Sequence, residues 1–207
     1  MLVRALMLPK SELVIAELDE SLKSALKKIE DNDFLSIPVV DGKLFAGVIA
    51  KEKIFEEYFK GDYTSKEDYL NTMDVRGIFR NIVPRVSPYD PIERASRVLE
   101  TFDIPFVAVV NERDEFEGIV THYAIFHTFG EILGVNEGER IAVTAYDIPG
   151  QLAKLTDIIT KAGGDIISFT VIDPKAKLDV RLIVVRVRIL NYEQLVKKIR
   201  EAGFKIQ

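Results

Sequence analysis

Apolar positions Leu22, Ala25, Leu26 and Ile29 recur at helical spacing, and Ile92, Ala95, Val98 and Leu99 do so again further on. Each stripe leads into a short apolar run, "SIPVV" from Ser36 and "FVAVV" from Phe106, which predicts a buried strand. The run "DGK" then predicts a hairpin turn, with "NERDE" in the same place after the second run. The partner strands are "LFAGVIA" and "FEGIV", and helices are expected from about Lys51 to Phe59 and from about His122 to Leu133. Asp19 or Ser21 can cap the first helix; Asp90 is expected to cap its counterpart, with Pro91 in the first turn. The order strand, helix, strand, strand, helix is therefore written twice.

Direct alignment supports a duplication. Ala25 falls on Ala95, Ile29 on Leu99 and Val39 on Val109, all 70 residues apart. Upstream, "VRALM" at Val3 meets "VRGIF" at Val75, a shift of 72, and Gly47 meets Gly118, a shift of 71. Shifts that change only between elements are those of a duplicated unit with small insertions. One copy alone buries little surface, so the two are expected to pack through their sheets.

After "GVNEGER", whose glycines mark a boundary, the pattern changes. "RIAVTAY" alternates as a strand, and "DIPGQLAKLTDIITKAGG" predicts a helix with Leu152, Leu155, Ile158 and Ile159 on one face. "DIISFTVID" and "VRLIVVRVRI" are strands around the turn "PKAKLD"; a helix from about Tyr192 to Ala202 and a short strand "FKI" follow. The sum is one ferredoxin-like βαββαβ unit. The expected class is α+β, with residues 1–60 as the first copy, 61–74 a connector, 75–133 the second copy, 134–138 a linker and 139–207 the final unit.

Composition narrows the function. The 207 residues are 47% hydrophobic and 29% charged, as in a packed protein, and no run approaches the length of a membrane span. "MLVRALMLP" is a poor signal peptide because Arg4 and Pro9 break it, so a cytoplasmic protein is expected. A net charge of −5, with basic residues dispersed, argues against a nucleic-acid surface. Scarce Asn, Gln and Met beside abundant Glu and Lys is a thermophile-like balance. The absence of cysteine removes disulfides, thiolate metal sites and thiol nucleophiles. His122 and His127 lie five apart, a spacing that suits no pair of metal ligands on one helix face. With no GxSxG and no GxxxxGK[ST], no enzyme is expected and no metal site is assigned.

The first copy's "IPVVDG" from Ile37, answered in the second by "FVAVVN" from Phe106, and in each a Gly (Gly47, Gly118) before a turn into a helix, resemble the tandem CBS domain pair, over about Met1 to Leu133. That resemblance implies a pseudo-twofold pair with two clefts for adenine nucleotides or S-adenosylmethionine. A Thr or Ser and an Asp of the final turn would hold phosphate and ribose. Here the hydroxyl position is Ala50 in the first copy and Thr121 in the second, and the carboxylate position is Lys53 and Ala124. The implied nucleotide site is the second cleft, with Pro84, Arg85, Ile104, Pro105, Thr121, His122 and Ala124. Thr121 serves equally as a helix N-cap. The C-terminal third is similar to the ACT domain, on the "DIPGQL" of Asp147 to Leu152 and the "GGDI" of Gly163 to Ile166. The resemblance implies side-by-side pairing and an amino-acid site at Asp147, Ile148, Pro149, Gly150, Gln151, Leu152, Gly164, Asp165 and Ile166.

The whole architecture resembles the acetoin-utilization accessory (AcuB-like) group. It implies a non-catalytic, homodimeric sensor that needs no cofactor. Its implied effector is AMP, ADP, ATP, S-adenosylmethionine or NAD(H), or an amino acid, and its implied protein partner is a metabolic enzyme. A ligand-free dimeric scaffold, or a regulatory subunit of a separately encoded enzyme, remain the alternatives.

Overall fold

The computed structural model describes residues 1–102, 104–175 and 179–207, in two compact units, Met1–Ile125 and Phe126–Gln207. The first unit holds β1 (Leu8–Pro9), β2 (Ala16–Glu17), α1 (Leu22–Asp31), β3 (Ser36–Asp41), β4 (Leu44–Ala50) and α2 (Lys51–Lys60). It continues with α3 (Lys66–Thr72), β5 (Arg85–Val86), α4 (Ile92–Phe102), β6 (Phe106–Val110) and β7 (Phe116–Thr121), after which α5 (His122–Ile132) begins.

The stripes point inward as their spacing requires. Leu22, Ala25 and Ile29 of α1 are fully buried against Val39 and Ile49, and Ile92 and Ala95 of α4 are buried likewise. Burying a side chain such as Leu22 or Ile29 contributes about 1.5–3 kcal/mol. Ser21 caps α1 by accepting a hydrogen bond from Ser24 N at 3.3 Å. Asp90 does not cap α4. Its carboxylate accepts from Ser87 N at 2.8 Å and Arg94 Nη1 at 3.0 Å, closing the turn before the helix.

Each copy contributes one sheet, in the orders β2-β3-β4 and β1-β7-β6-β5. β2 runs parallel to β3 and β5 to β6, and both hairpins carry a bulge at matching places, Val39/Val40 and Val109/Val110. The opening strand of each copy is therefore β2 or β5. The segments at Val3 and Val75 form single 3₁₀ turns instead, and these dock on the other copy.

The docking is reciprocal. Val3 N donates to Asp90 O and Val75 N to Glu20 O, both at 2.9 Å; Arg4 N donates to Pro88 O and Arg76 N to Leu18 O. Ile92 N donates to Met1 O and Leu22 N to Met73 O. The same exchange continues along the chain, where β1 pairs with β7 and Arg80 forms a bridge with Val48. The hairpin tips also meet, with Phe45 and Phe116 ring centroids 5.2 Å apart. This is a pseudo-twofold pair.

The connector is not a loose loop. Tyr58, Tyr63 and Tyr69 cluster, with Tyr63 and Tyr69 centroids 4.5 Å apart, and Tyr69 and Leu70 complete the first copy's core.

The second unit contains β8 (Glu139–Tyr146), α6 (Gln151–Lys161), β9 (Asp165–Ile172), β10 (Val180–Arg188), α7 (Tyr192–Glu201) and β11 (Lys205–Ile206). Its antiparallel sheet runs β11-β8-β10-β9, and the expected turn "PKAKLD" lies partly outside the described residues. Alternation along β10 buries Ile183, Val185 and Val187 against Leu155, Ile159, Leu195 and Ile199 of the helices. β9 is an edge strand.

Candidate functional site

A cavity of about 860 Å³ opens at the end of β4, where the chain turns into α2. Leu35 and Ser36 enter from the start of β3, and Ala50, Lys51, Lys53 and Phe55 from the β4–α2 junction. Ile78, Phe79, Arg80 and Val83 come from the segment that crosses over from the second copy, and Ile104 and Pro105 precede β6. The wall is mostly apolar and built from both copies. A flat aromatic or heterocyclic ring suits such a slot.

Charge is concentrated at the helix start. Lys53 Nζ lies 2.7 Å from Glu57 and 3.3 Å from Glu56, and Glu56 also pairs with Lys60. Hydrogen bonds donated to Glu57 and then Glu56 raise the Lys53 ammonium above its ordinary value. Those from Lys60 and then Lys53 lower the Glu56 carboxyl. Lys51 pairs with Glu30 at 3.2 Å. Ala50 stands at the N-cap of α2 and offers no side-chain acceptor. At the matching junction Thr121 Oγ1 accepts from Ala124 N at 3.2 Å, so the hydroxyl caps α5.

The structure therefore divides the residues expected at the nucleotide site. Ile104 and Pro105 line the cavity, whereas Pro84, Arg85, Thr121, His122 and Ala124 do not. Arg85 is engaged at the hairpin tips: it donates to Phe45 O and to Asp114, both at 3.0 Å. His122 Nδ1 lies 3.4 Å from Pro105 O, behind the residue that lines the cavity. Arg80 and Phe79 join the site with no local motif to mark them, because they reach the first copy only through the cross-copy exchange. The repeat of "VRALM" in "VRGIF" was the available signal.

A second cavity, of about 530 Å³, lies in the C-terminal unit. Asp147, Ile148, Pro149, Gly150, Gln151 and Leu152 all line it, together with Tyr146, Val171 and Arg181. Gly150 sits at the start of α6 with φ +88°, a left-handed conformation that glycine adopts without strain. Asp147 is not the helix cap. It instead receives Arg181 at 2.7 Å, and Arg181 also reaches Asp173 at 2.8 Å. Asp147 and then Asp173 raise the Arg181 guanidinium further above its already high value. Asp165 pairs with Arg188, at the opposite end of β10 from Val180, which faces Tyr146. Within one chain Gly164, Asp165 and Ile166 thus do not meet the Asp147–Leu152 turn.

Family comparison fits this geometry. The CBS domain model matches residues 3–60 and 75–131, together more than half of the chain. This chain belongs to the CBS domain family. Its C-terminal third matches the ACT domain over residues 140–204. Among solved structures, CbpB in complex with c-di-AMP is 17% identical, with a TM-score of 0.58, covering 66% of this chain and 89% of its own. CBSX2 in complex with AMP is 20% identical (TM-score 0.53; 66% and 98% covered). A CBS domain pair/ACT domain protein from Thermotoga maritima is 19% identical (TM-score 0.53; 64% and 99% covered). Among curated proteins none matches. Among the described residues of the CBS–ACT chain no group of acidic or histidine side chains could hold a metal ion, and no helix is long and apolar enough to cross a membrane.

Proposed function

We propose that the CBS–ACT chain is a non-catalytic sensor that binds an adenine nucleotide in the cavity between its two CBS copies. The cavity of about 860 Å³ carries this reading. Val48, Ile78, Val83 and Ile104 offer apolar surface for a base, and Lys51, Lys53 and Arg80, which also line the cavity, offer positive charge for phosphate. Two chains of this fold hold AMP and c-di-AMP. Lys53 stands where a carboxylate would accept both ribose hydroxyls and offers only donors, which leaves Glu52 as the carboxylate without an ion-pair partner, among the described residues, that lines the cavity. Signalling follows by linkage: a ligand that contacts both copies favours the arrangement in which they are clasped, and a partner protein with different affinity for that arrangement reads it.

Thermal unfolding of the full chain with AMP, ADP, ATP, c-di-AMP, S-adenosylmethionine and NADH tests the reading. A ligand at 100 times its dissociation constant adds about 2.7 kcal/mol of stability. Flat melting curves throughout would reject the nucleotide reading and favour the dimeric scaffold.

The cavity at Asp147 to Leu152 supports a second ligand, an amino-acid-like metabolite. Its carboxylate would face the start of α6 and Arg181, which Asp147 and Asp173 hold in place. β9 is the edge through which two ACT sheets would join, since its outer backbone groups pair with no neighbouring strand within the sheet. Pairing there would bring Asp165 from a second copy toward the same region. Light scattering of the intact chain decides the oligomer, and a monomer at all concentrations would remove the shared-site version.

A further inference from the structure

The pseudo-twofold makes Arg80 the counterpart of Leu8: the Arg80 carbonyl crosses over Gly47 as the Leu8 carbonyl crosses over Gly118. The backbone of Arg80 is pinned in place. Its N–H donates to Val48 O at 2.8 Å and its carbonyl accepts from Val48 N at 3.0 Å. Three cations line the first-copy cavity, and two of them are engaged, Lys51 by Glu30 and Lys53 by Glu56 and Glu57. Among the described residues the Arg80 guanidinium makes no ion pair or hydrogen bond. The same holds for the carboxylate of Glu52 on this wall. A guanidinium stays charged at every physiological pH, and its planar fork matches two phosphate oxygens at once. The counterpart position, Leu8, has no polar side-chain atom to offer.

We infer that Arg80 anchors the anionic end of the ligand, and that this one residue assigns a phosphate-bearing ligand to the first-copy cavity rather than to its counterpart beside Leu8. The inference rests on the nucleotide reading above and names its specificity residue. Arg80 belongs to the second copy's leading segment and α2 to the first copy, so a phosphate held there clasps the two copies together.

Calorimetric titration of the full chain with AMP and with adenosine tests this. The unaltered chain should take one AMP per chain. Arg80→Gln should weaken AMP at least about tenfold, as expected for loss of a charge-assisted pair, while adenosine changes less than about twofold. The melting curve without ligand should not move, because the side chain has no partner to lose. Arg80→Lys, which keeps the charge, should retain more AMP affinity than Arg80→Gln. Unchanged AMP affinity in Arg80→Gln would overturn the inference and leave the nucleotide reading intact. Equal weakening of AMP and adenosine would overturn it too, since the side chain would then only shape the wall. If the unaltered chain binds neither compound, the inference falls, and the nucleotide reading falls with it only where the wider nucleotide panel also leaves the melting curve flat.

Discussion

Gly47 lies so close beneath Arg80 that a Cβ in its place would stand 2.1 Å from the Arg80 carbonyl oxygen. Gly118 repeats the relationship beneath Leu8, at 2.2 Å. Both contacts are with backbone that is hydrogen-bonded across the copies, so no side chain can swing aside. Gly47→Ala and Gly118→Ala should therefore each cost about 3 kcal/mol or more, beyond ordinary overpacking because the two copies must separate. Gly130, within α5, has nothing within 4 Å of a Cβ, and Gly130→Ala should stabilise by about 0.5–1 kcal/mol. Urea unfolding of the three variants checks the contrast. A tolerated Gly47→Ala would mean that the crossing segment is not clasped as described.

These glycines also mark what could be read from sequence. The duplication was legible because Ala25 and Ala95, or Val39 and Val109, occupy the same buried positions of the same elements. The exchange was not, because a hydrogen bond from Val3 to Asp90 spans the whole pair and leaves no local periodicity. For the same reason no motif marks Arg80, whereas Ile104 and Pro105 fall within the repeated pattern. In the C-terminal unit the Asp147–Leu152 turn was legible as a motif. The engagement of Asp147 by Arg181 depends on the β8–β10 register, which no short motif encodes.

Glu20 and Asp90 close equivalent turns: Glu20 accepts from Glu17 N at 3.1 Å, and Asp90 from Ser87 N at 2.8 Å. Glu20 is the better partnered, since Lys28 Nζ lies 2.7 Å away and Ser24 Oγ donates at 2.5 Å. Desolvation by burial raises its carboxyl, but the bonds from Lys28, Ser24 and Glu17 outweigh it and bring it below the ordinary 4.5. A carboxyl depressed in the folded state contributes stability above its unfolded value, and that stability is lost as pH falls through the folded value. Glu20→Gln should cost about 1–3 kcal/mol near neutral pH. The difference between the two proteins should shrink as pH drops below 4.5. Denaturant titrations at a series of pH values measure this, and a gap that stayed constant into acid would mean that the charge is not what stabilises the turn.

Tyr69 shows the opposite sign. Its ring is fully buried beneath α2 and its hydroxyl donates to Ile54 O at 3.0 Å, so the ionised form has neither water nor a donor to face. Desolvation first, then the neighbouring Tyr63 and Glu57, pushes the phenol up from 10.0 to about 12. A group whose pKa is raised in the folded state contributes stability that is complete below the unfolded value and drains away as pH rises through the folded one. The connector that Tyr69 anchors should therefore loosen between pH 10 and 12, where the unfolded chain ionises its phenol and the folded chain resists. Tyr69→Phe keeps the ring but loses the hydrogen bond, which should cost about 1 kcal/mol at neutral pH. It should also flatten the alkaline decline, because no phenol is left to ionise at that position. Unfolding free energies of both proteins from pH 8 to 11, followed by far-ultraviolet dichroism, would separate these outcomes. Parallel alkaline curves would show that another group governs the loss and that the seal over the first copy's core does not depend on a neutral Tyr69.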